Sequence, residues 1–277
     1  MGVRSMATYI ETKDCKIFID PGVNLAEKRY GLPPHPLEIS EKERVWKEIV
    51  RYAEKAEIII ITHYHYDHYN PFQDLFIFEN KYVFLKHPTR KINQSQMNRA
   101  RQFLEKIKKI SAEIYYADNR EFFIEETRIL FSPPVPHGKS SNLGYVLEVL
   151  IEEEAEKFLF TSDVQGPILD EHLHFIIRNK PSLIFLDGPV TYLLGQTFSH
   201  DDLDKSIENI KRILNETPVR KVIIDHHLLR DIRWRQLILK DISHEEKEYI
   251  LTAADFSGKP IKLLEANRRR LWEEYPE

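Results

Sequence analysis

Residues 57–70 read EIIIITHYHYDHYN: four isoleucines, then three histidines and an aspartate within six positions. A strand with one wet face alternates apolar and polar residues, whereas an unbroken β-branched run marks a strand covered on both faces. Such a strand sits inside a layered α/β structure. The polar cluster that follows therefore lies where the chain leaves the sheet.

The rest of the chain supplies partners for that strand. TYIE (8–11) and KIFID (16–20) are predicted as short strands ended by the turn signal Pro21-Gly22. Ser40 and Glu43 form an S-x-x-E capping box, predicted to open a helix with Val45, Trp46, Ile49, Val50 and Ala53 on one face. YVFL (82–85) is a strand, and 93–110 an amphipathic helix with Met97, Ala100, Leu104 and Ile107 on its stripe. Strand-like stretches follow near 112–116, 121–124 and 127–131, then a Pro-rich loop, SPPVPHGKSSN (132–142). GYVLEVLI (144–151), KFLFTSD (157–163), SLIFLDG (182–188) and KVIID (221–225) are further strands, with a helix over 200–214. From 230 to 275 the pattern is charged and helical. Strands interleaved with helices predict one α/β domain over 1–277, with a C-terminal helical, charged extension from about 230.

Composition narrows the classes. Of the 277 residues, 42% are apolar and 30% charged, which suits a globular protein with a sizeable core. The formal charge of −4 does not advertise nucleic-acid binding. Cys15 is the one cysteine, which excludes a disulfide framework and a Cys-rich zinc finger and fits a reducing cytoplasm. No apolar stretch approaches the roughly 20 residues of a membrane span. The start, MGVRSMATYIETKD, lacks the apolar centre of a secretory signal. The expectation is a cytoplasmic protein without a membrane partner.

His63-x-His65-x-Asp67-His68 is the strongest chemical signal. His63 and His65 stand two apart, so in an extended segment they share one side and can converge on an ion. Asp67 and His68 continue the turn and can face a neighbouring ion. Imidazole and carboxylate without thiolate suit zinc, manganese or iron. A closed structural zinc site needs four ligands, and this chain offers more. His137 lies in the Pro-rich loop, Asp163 ends FLFTSD, and His226 and His227 follow KVIID. The excess points to two metals or an open coordination position.

HYHYDH resembles the H-x-H-x-D-H signature of the metallo-β-lactamase-fold superfamily of hydrolases. A lone histidine (His137), an aspartate after a strand (Asp163) and a histidine after a late strand (His226) follow in the family's order, and IFIDPG resembles its second strand and turn. The resemblance spans roughly residues 8–227 and looks closest to a largely archaeal branch of predicted metallo-hydrolases. It implies a four-layer αββα sandwich with a dinuclear site at one edge. His63, His65 and His137 would hold the first ion, Asp67, His68 and His226 the second, and Asp163 would bridge them. VIID before His226 fits the family's pattern better than it fits His227. The implied function is a dinuclear metal-dependent hydrolase, with zinc first and manganese or iron as alternatives. A metal-bridged hydroxide would attack an ester or phosphodiester, and Asp67 could also orient it.

Other readings stand beside this one. His200 in TFSHDDLD falls in the first turn of a helix capped by Ser199 with Asp202 at the box position. Its sharper reading is leaving-group protonation with Asp187 as partner. Arg230, Arg233, Arg235 and the run Arg268–Arg270 read as exposed helix charges, or else as phosphate contacts. The stretch between Asp163 and His226 is too short for the large nucleic-acid-gripping insert of one nuclease branch; small-molecule and nucleic-acid substrates otherwise both stay open. The same fold family also contains diiron reductases and iron sulfur dioxygenases, and a non-catalytic metal-binding module is the third reading. The oligomeric state is not legible.

Overall fold

The computed structural model of the chain describes residues 2–110 and 112–276. One sheet has the order β1 (Thr8–Glu11), β2 (Lys16–Ile19), β3 (Ile58–Ile61), β4 (Tyr82–Leu85) and β5 (Glu113–Tyr116). Only β1–β2 is antiparallel; β2 through β5 run parallel. The four isoleucines form β3, an inner strand, as their unbroken run demands. The second sheet begins with β6 (Glu121–Ile124) and β7 (Thr127–Phe131). A small pair, β8 (Val135–Pro136) with β9 (Tyr145–Val146), stands apart from both sheets. The second sheet resumes with β10 (Val149–Glu153), β11 (Glu156–Phe160), β12 (Leu183–Asp187), β13 (Lys221–Asp225) and β14 (Ile250–Leu251). Its order is β14-β13-β12-β11-β10-β7-β6, parallel from β11 to β14.

Three apolar clusters define the layers. Ile17, Ile19, Ile58 and Ile60 of the first sheet meet Phe131, Val149, Phe160 and Phe185 of the second between the sheets. On the outer face of the first sheet, Phe18, Ile59, Ile61 and Val83 pack against α1 (Pro36–Lys55) and α2 (Gln94–Ile107). On the outer face of the second, Leu150, Leu159, Ile184 and Ile224 pack against α3 (Asp170–Asn179) and α4 (His200–Glu216). The result is the four-layer αββα sandwich of the metallo-β-lactamase fold.

Several local expectations change. Helix α1 starts at Pro36, four residues before Ser40. His35 caps it: its Nδ1 accepts from Leu37 N at 3.2 Å, and Glu38 Oε2 accepts from His35 N at 2.9 Å. Pro36 at the first helical position has the φ a helix needs and no N–H to satisfy. This earlier box wins over Ser40–Glu43. On α2, Phe103 is buried with Ala100, Leu104 and Ile107, while Met97 is only half-buried. The strand expected over 144–151 breaks at 147–148 into β9 and β10, and the Pro-rich loop contains β8. Helix α3 carries no signal that the sequence reading used.

The C-terminal stretch is less helical than its pattern. It consists of short pieces, α5 (Trp234–Ile238), α6 (His244–Lys247), α7 (Ala253–Phe256) and α8 (Arg268–Glu274), plus edge strand β14. It also packs on the N-terminal half. Arg268, expected among exposed charges, is fully buried, bidentate to Glu38 at 2.7 and 2.9 Å, and donates to the carbonyls of Ala26 and Leu32. A guanidinium can be buried when its donors find partners of this quality. Among the described residues, no helix is long and apolar enough to cross a membrane.

Candidate metal centre

The parallel strands of both sheets end at one edge of the sandwich, outside their carboxyl ends, where open α/β sheets hold ligands. Asp20 follows β2, Thr62 and His63 follow β3, Ser162 and Asp163 follow β11, and His226 follows β13. Residue 137 is carried to the same edge by β8. That short strand is held by β9 and by buried His172, whose Nε2 lies 2.9 Å from Pro136 O. Three of these strand-end residues adopt the left-handed backbone that non-glycine residues rarely take: Asp20 (φ 49°), Ser162 (φ 56°) and His226 (φ 60°). Each turns the chain sharply as it leaves its strand, and strain of this kind gathers at functional sites.

The side chains form two groups. His63, His65, His137 and Asp163 offer ligand atoms within 4.8 Å of one another, and so do Asp67, His68, Asp163 and His226. Asp163 belongs to both. Its Oδ2 lies 3.2 Å from His137 Nε2 and 3.7 Å from His63 Nε2. Its Oδ1 lies 2.9 Å from His68 Nε2 and 3.4 Å from His226 Nε2. One carboxylate oxygen thus faces each group.

The fit to a metal is tested by what these atoms lack. His63 Nε2, His68 Nε2, His137 Nε2 and Asp163 Oδ1 face one another across the two groups, are buried, and make no hydrogen bond of good geometry. Native interiors seldom leave so many polar atoms unsatisfied in one place. Convergent unpaired imidazoles and a carboxylate are the donor set of a divalent ion, so the residues present fit the group.

At His63, His65, Asp67 and Asp163 the electrostatics point the same way. Burial and the neighbouring imidazoles push His63 well below the usual histidine range, and burial takes His65 down to about 3. Both rings stay neutral, with lone pairs free. Burial opposes charge on Asp163 and Asp67, yet the adjoining His68 and His226 outweigh it, holding Asp163 well below its ordinary value and Asp67 at about 2. Burial would lower His68 too, but Asp163 and Asp20 on either side raise it well above its usual value.

A layer of buried groups orients the rings. Asp20, fully buried, accepts from Thr62 N at 2.8 Å and Thr62 Oγ1 at 2.6 Å, and pairs with His68 Nδ1 at 2.8 Å. Thr62 Oγ1 and Ser162 Oγ each lie 3.3 Å from His63 Nδ1. Gln96, buried on α2, accepts from Tyr64 N at 3.1 Å and donates to Leu143 O at 2.7 Å, tying the histidine turn to the loop after residue 137. Carboxylate partners of this kind fix the ring and tautomer of a metal-binding histidine.

The remaining expectations sort as follows. His226 joins the second group. His227 turns to Asp187, with Nδ1 at 2.9 Å from Oδ2, and only the three-residue set of Asp163, Asp187 and His227 includes it. Asp187 is therefore not a partner of His200. His200 is exposed in the first turn of α4, where Ser199 and Asp202 form the expected box. Sequence reasoning did not name Asp20 or Thr62, although Asp20 closes a buried strand just as Asp163 does. It also placed Arg230 among exposed charges. Arg230 is buried in the turn after β13, and its Nη2 lies 2.8 Å from His226 Nε2. Arg233 and Arg235 are exposed as expected.

Gly22 shows how closely the second strand's turn supports the motif. A Cβ there would lie 2.3 Å from Tyr69 N and 2.4 Å from His68 C, both backbone atoms. Gly22→Ala must displace the His68–Tyr69 backbone, at a cost of about 1–3 kcal/mol. The expected result is a lower melting temperature together with reduced metal content. An alanine variant equal to wild type in both would contradict this packing.

No family model matches the chain. It is 50% identical to a UPF0282 protein of Korarchaeum cryptofilum, covering 100% of this chain and 92% of that one. It is 45% identical to a UPF0282 protein of Methanocaldococcus jannaschii, over 98% and 93%. Among solved structures it resembles an isothiocyanate hydrolase from Delia radicum gut bacteria, with TM-score 0.59 and 15% identity over 92% of this chain and 95% of that one. It also resembles a protein described as a possible metal-dependent hydrolase from Veillonella parvula, with TM-score 0.57 and 13% identity over 91% and 94%. The structural likenesses speak for the fold. The sequence likenesses run end to end at identities far above what chance alignment gives, and by them the chain belongs to the UPF0282 family.

Proposed function

We propose that the chain is a dinuclear metal-dependent hydrolase acting on an ester or phosphodiester. The observation that carries this reading is Asp163, one oxygen turned to each of two imidazole-rich groups. His63, His65 and His137 would hold one ion, Asp67, His68 and His226 the other, and Asp163 both. Such a pair, when bound, supplies Lewis acidity and a nucleophilic water at neutral pH. Both solved neighbours are named as hydrolases, in keeping with this reading.

The chain's own residues do the positioning. Asp20 fixes the ring of His68, and the Thr62 and Ser162 hydroxyls fix that of His63. Asp187 holds His227 beside the second group and accepts from Gln165 N at 2.7 Å. Burial of the imidazoles keeps bulk water off all but the open mouth, where His65 and Asp67 are partly exposed.

The test is elemental analysis of protein purified without chelators, beside His65→Ala, with a panel of phosphodiester, lactone and thioester substrates. About two zinc or manganese ions per chain, depleted in the variant, with turnover of at least one ester, is the expected result. Iron with oxygen or persulfide consumption would replace hydrolysis with redox chemistry. A protein that takes up no metal even on reconstitution would end the catalytic reading.

A further inference from the structure

Among the described residues two arginines are buried, and they differ. Arg268 spends its donors on Glu38 and two carbonyls. Arg230 has no such set. Among the described residues its one side-chain hydrogen bond goes to His226 Nε2, and its Nε has no partner. The carboxylate within reach, Asp67 Oδ2, lies at 3.7 Å, beyond hydrogen-bond distance. Glu265 is occupied by Arg4, bidentate at 2.7 Å on each oxygen. A buried guanidinium without a bonded carboxylate is costly, and an anion supplied from outside the chain would offset that cost.

The single acceptor makes the case sharper. His226 Nε2 also points at Asp163 Oδ1 from 3.4 Å and at Asp67 Oδ2 from 3.6 Å, in the second metal group. One lone pair cannot serve both an ion and a guanidinium. A chain loaded with metal therefore leaves Arg230 with donors to spare beside the second group. Two divalent ions would already more than neutralise Asp20, Asp67 and Asp163, so a further fixed cation does not serve to hold metal. It suits an incoming anion. Arg presents a planar fork matched to paired oxygens, as in phosphoryl and carboxylate groups.

From this we infer that Arg230 binds an anionic oxygen group of the substrate beside the scissile bond, so that the site selects anionic substrates over neutral esters. The inference rests on the dinuclear reading for the location of the reacting bond. The turn after β13 supplies both elements, His226 toward the metal group and Arg230 toward the ligand, four residues apart.

The experiment uses the protein as purified, in wild-type, Arg230→Gln and Arg230→Lys forms, with metal content and melting temperature measured on each. Inorganic phosphate and acetate are titrated in by calorimetry. Arg230→Gln is expected to keep its metal and weaken phosphate binding by about 10- to 100-fold, the worth of a hydrogen bond to a charged group. Arg230→Lys recovers part of it, keeping the charge but losing the fork. Arg230-dependent binding of acetate in place of phosphate would support the inference and assign a carboxylate substrate. Unchanged affinity for both anions in Arg230→Gln would overturn it. So would loss of metal or a lower melting temperature with anion affinity intact, which makes Arg230 a brace for His226. If wild-type protein holds no metal, the dinuclear reading fails separately. Arg230-dependent phosphate binding would then still support an anion site, and its absence would overturn it.

Discussion

Asp163→Asn is expected to empty the site while leaving the fold intact. The substitution preserves shape but removes the charge and turns one acceptor oxygen into a donor. Oδ1 faces His68 and His226, Oδ2 faces His137 and His63, so whichever oxygen is lost, one group loses its carboxylate. Hydrolysis should fall on the order of 10³-fold, about 4 kcal/mol of transition-state stabilisation. Metal per chain should fall with it. The thermal transition should survive, because a buried charge is replaced by a neutral isostere. Initial rates, elemental analysis and a melt on one preparation decide the matter. A variant with a full metal complement would sink the shared-carboxylate reading.

Asp20→Ala should do damage of a different kind. This carboxylate touches no candidate substrate position, yet it holds Thr62 twice and His68 once, entirely out of solvent. Its removal strands a buried imidazole and an amide, and breaking a buried pair from one side costs about 3–5 kcal/mol. Metal affinity should drop by about 10- to 100-fold, as when the oriented partner of a metal-binding histidine is lost. Urea unfolding and metal titration measure the two effects independently. Asp20→Asn, which keeps an acceptor for Thr62, should recover more stability than metal affinity. Equal recovery of both would mean that Asp20 acts on the backbone alone and not through His68.

The sequence made much of this edge legible because strand-end chemistry is local. Four isoleucines announce an inner strand, and a histidine at the next-but-one position has nowhere to go except the sheet's edge. The same logic reached Asp163 and His226. It extends to Asp20, which also ends a buried strand, but there the turn signal Pro21-Gly22 directly after it is the stronger local feature and masks the carboxylate. His137 was different: composition gave a loop, and only the β8–β9 pairing and the bond from His172 fix where the loop delivers it. Arg230 and Arg268 show the limit most clearly. Both sit in charged stretches that pattern reading assigns to solvent; Glu38, far away in the chain, draws Arg268 inside, while Arg230 is drawn in by the fold around His226 in its own turn and Asp67 across from it. The start of α1 turned on two competing boxes four residues apart, and the one with proline at its first position prevailed.

The meeting of the two sheets at this edge has a thermodynamic consequence. At the buried centre the two sheets are joined by apolar packing, which resists separation but tolerates sliding. At the mouth, polar bonds join them: Thr62 Oγ1 meets Ser162 Oγ at 2.6 Å, and Leu147 N donates to Thr62 O at 3.2 Å. Asp163 and the histidines across from it span the same seam. An ion held jointly from both sides acts as a clasp on the sandwich, and its binding free energy becomes part of the work of prising this edge apart, about 2.7 kcal/mol at a hundredfold excess over Kd. Ion affinity and mechanical closure of the edge are then linked functions, so whatever loosens the seam weakens the site by the same amount.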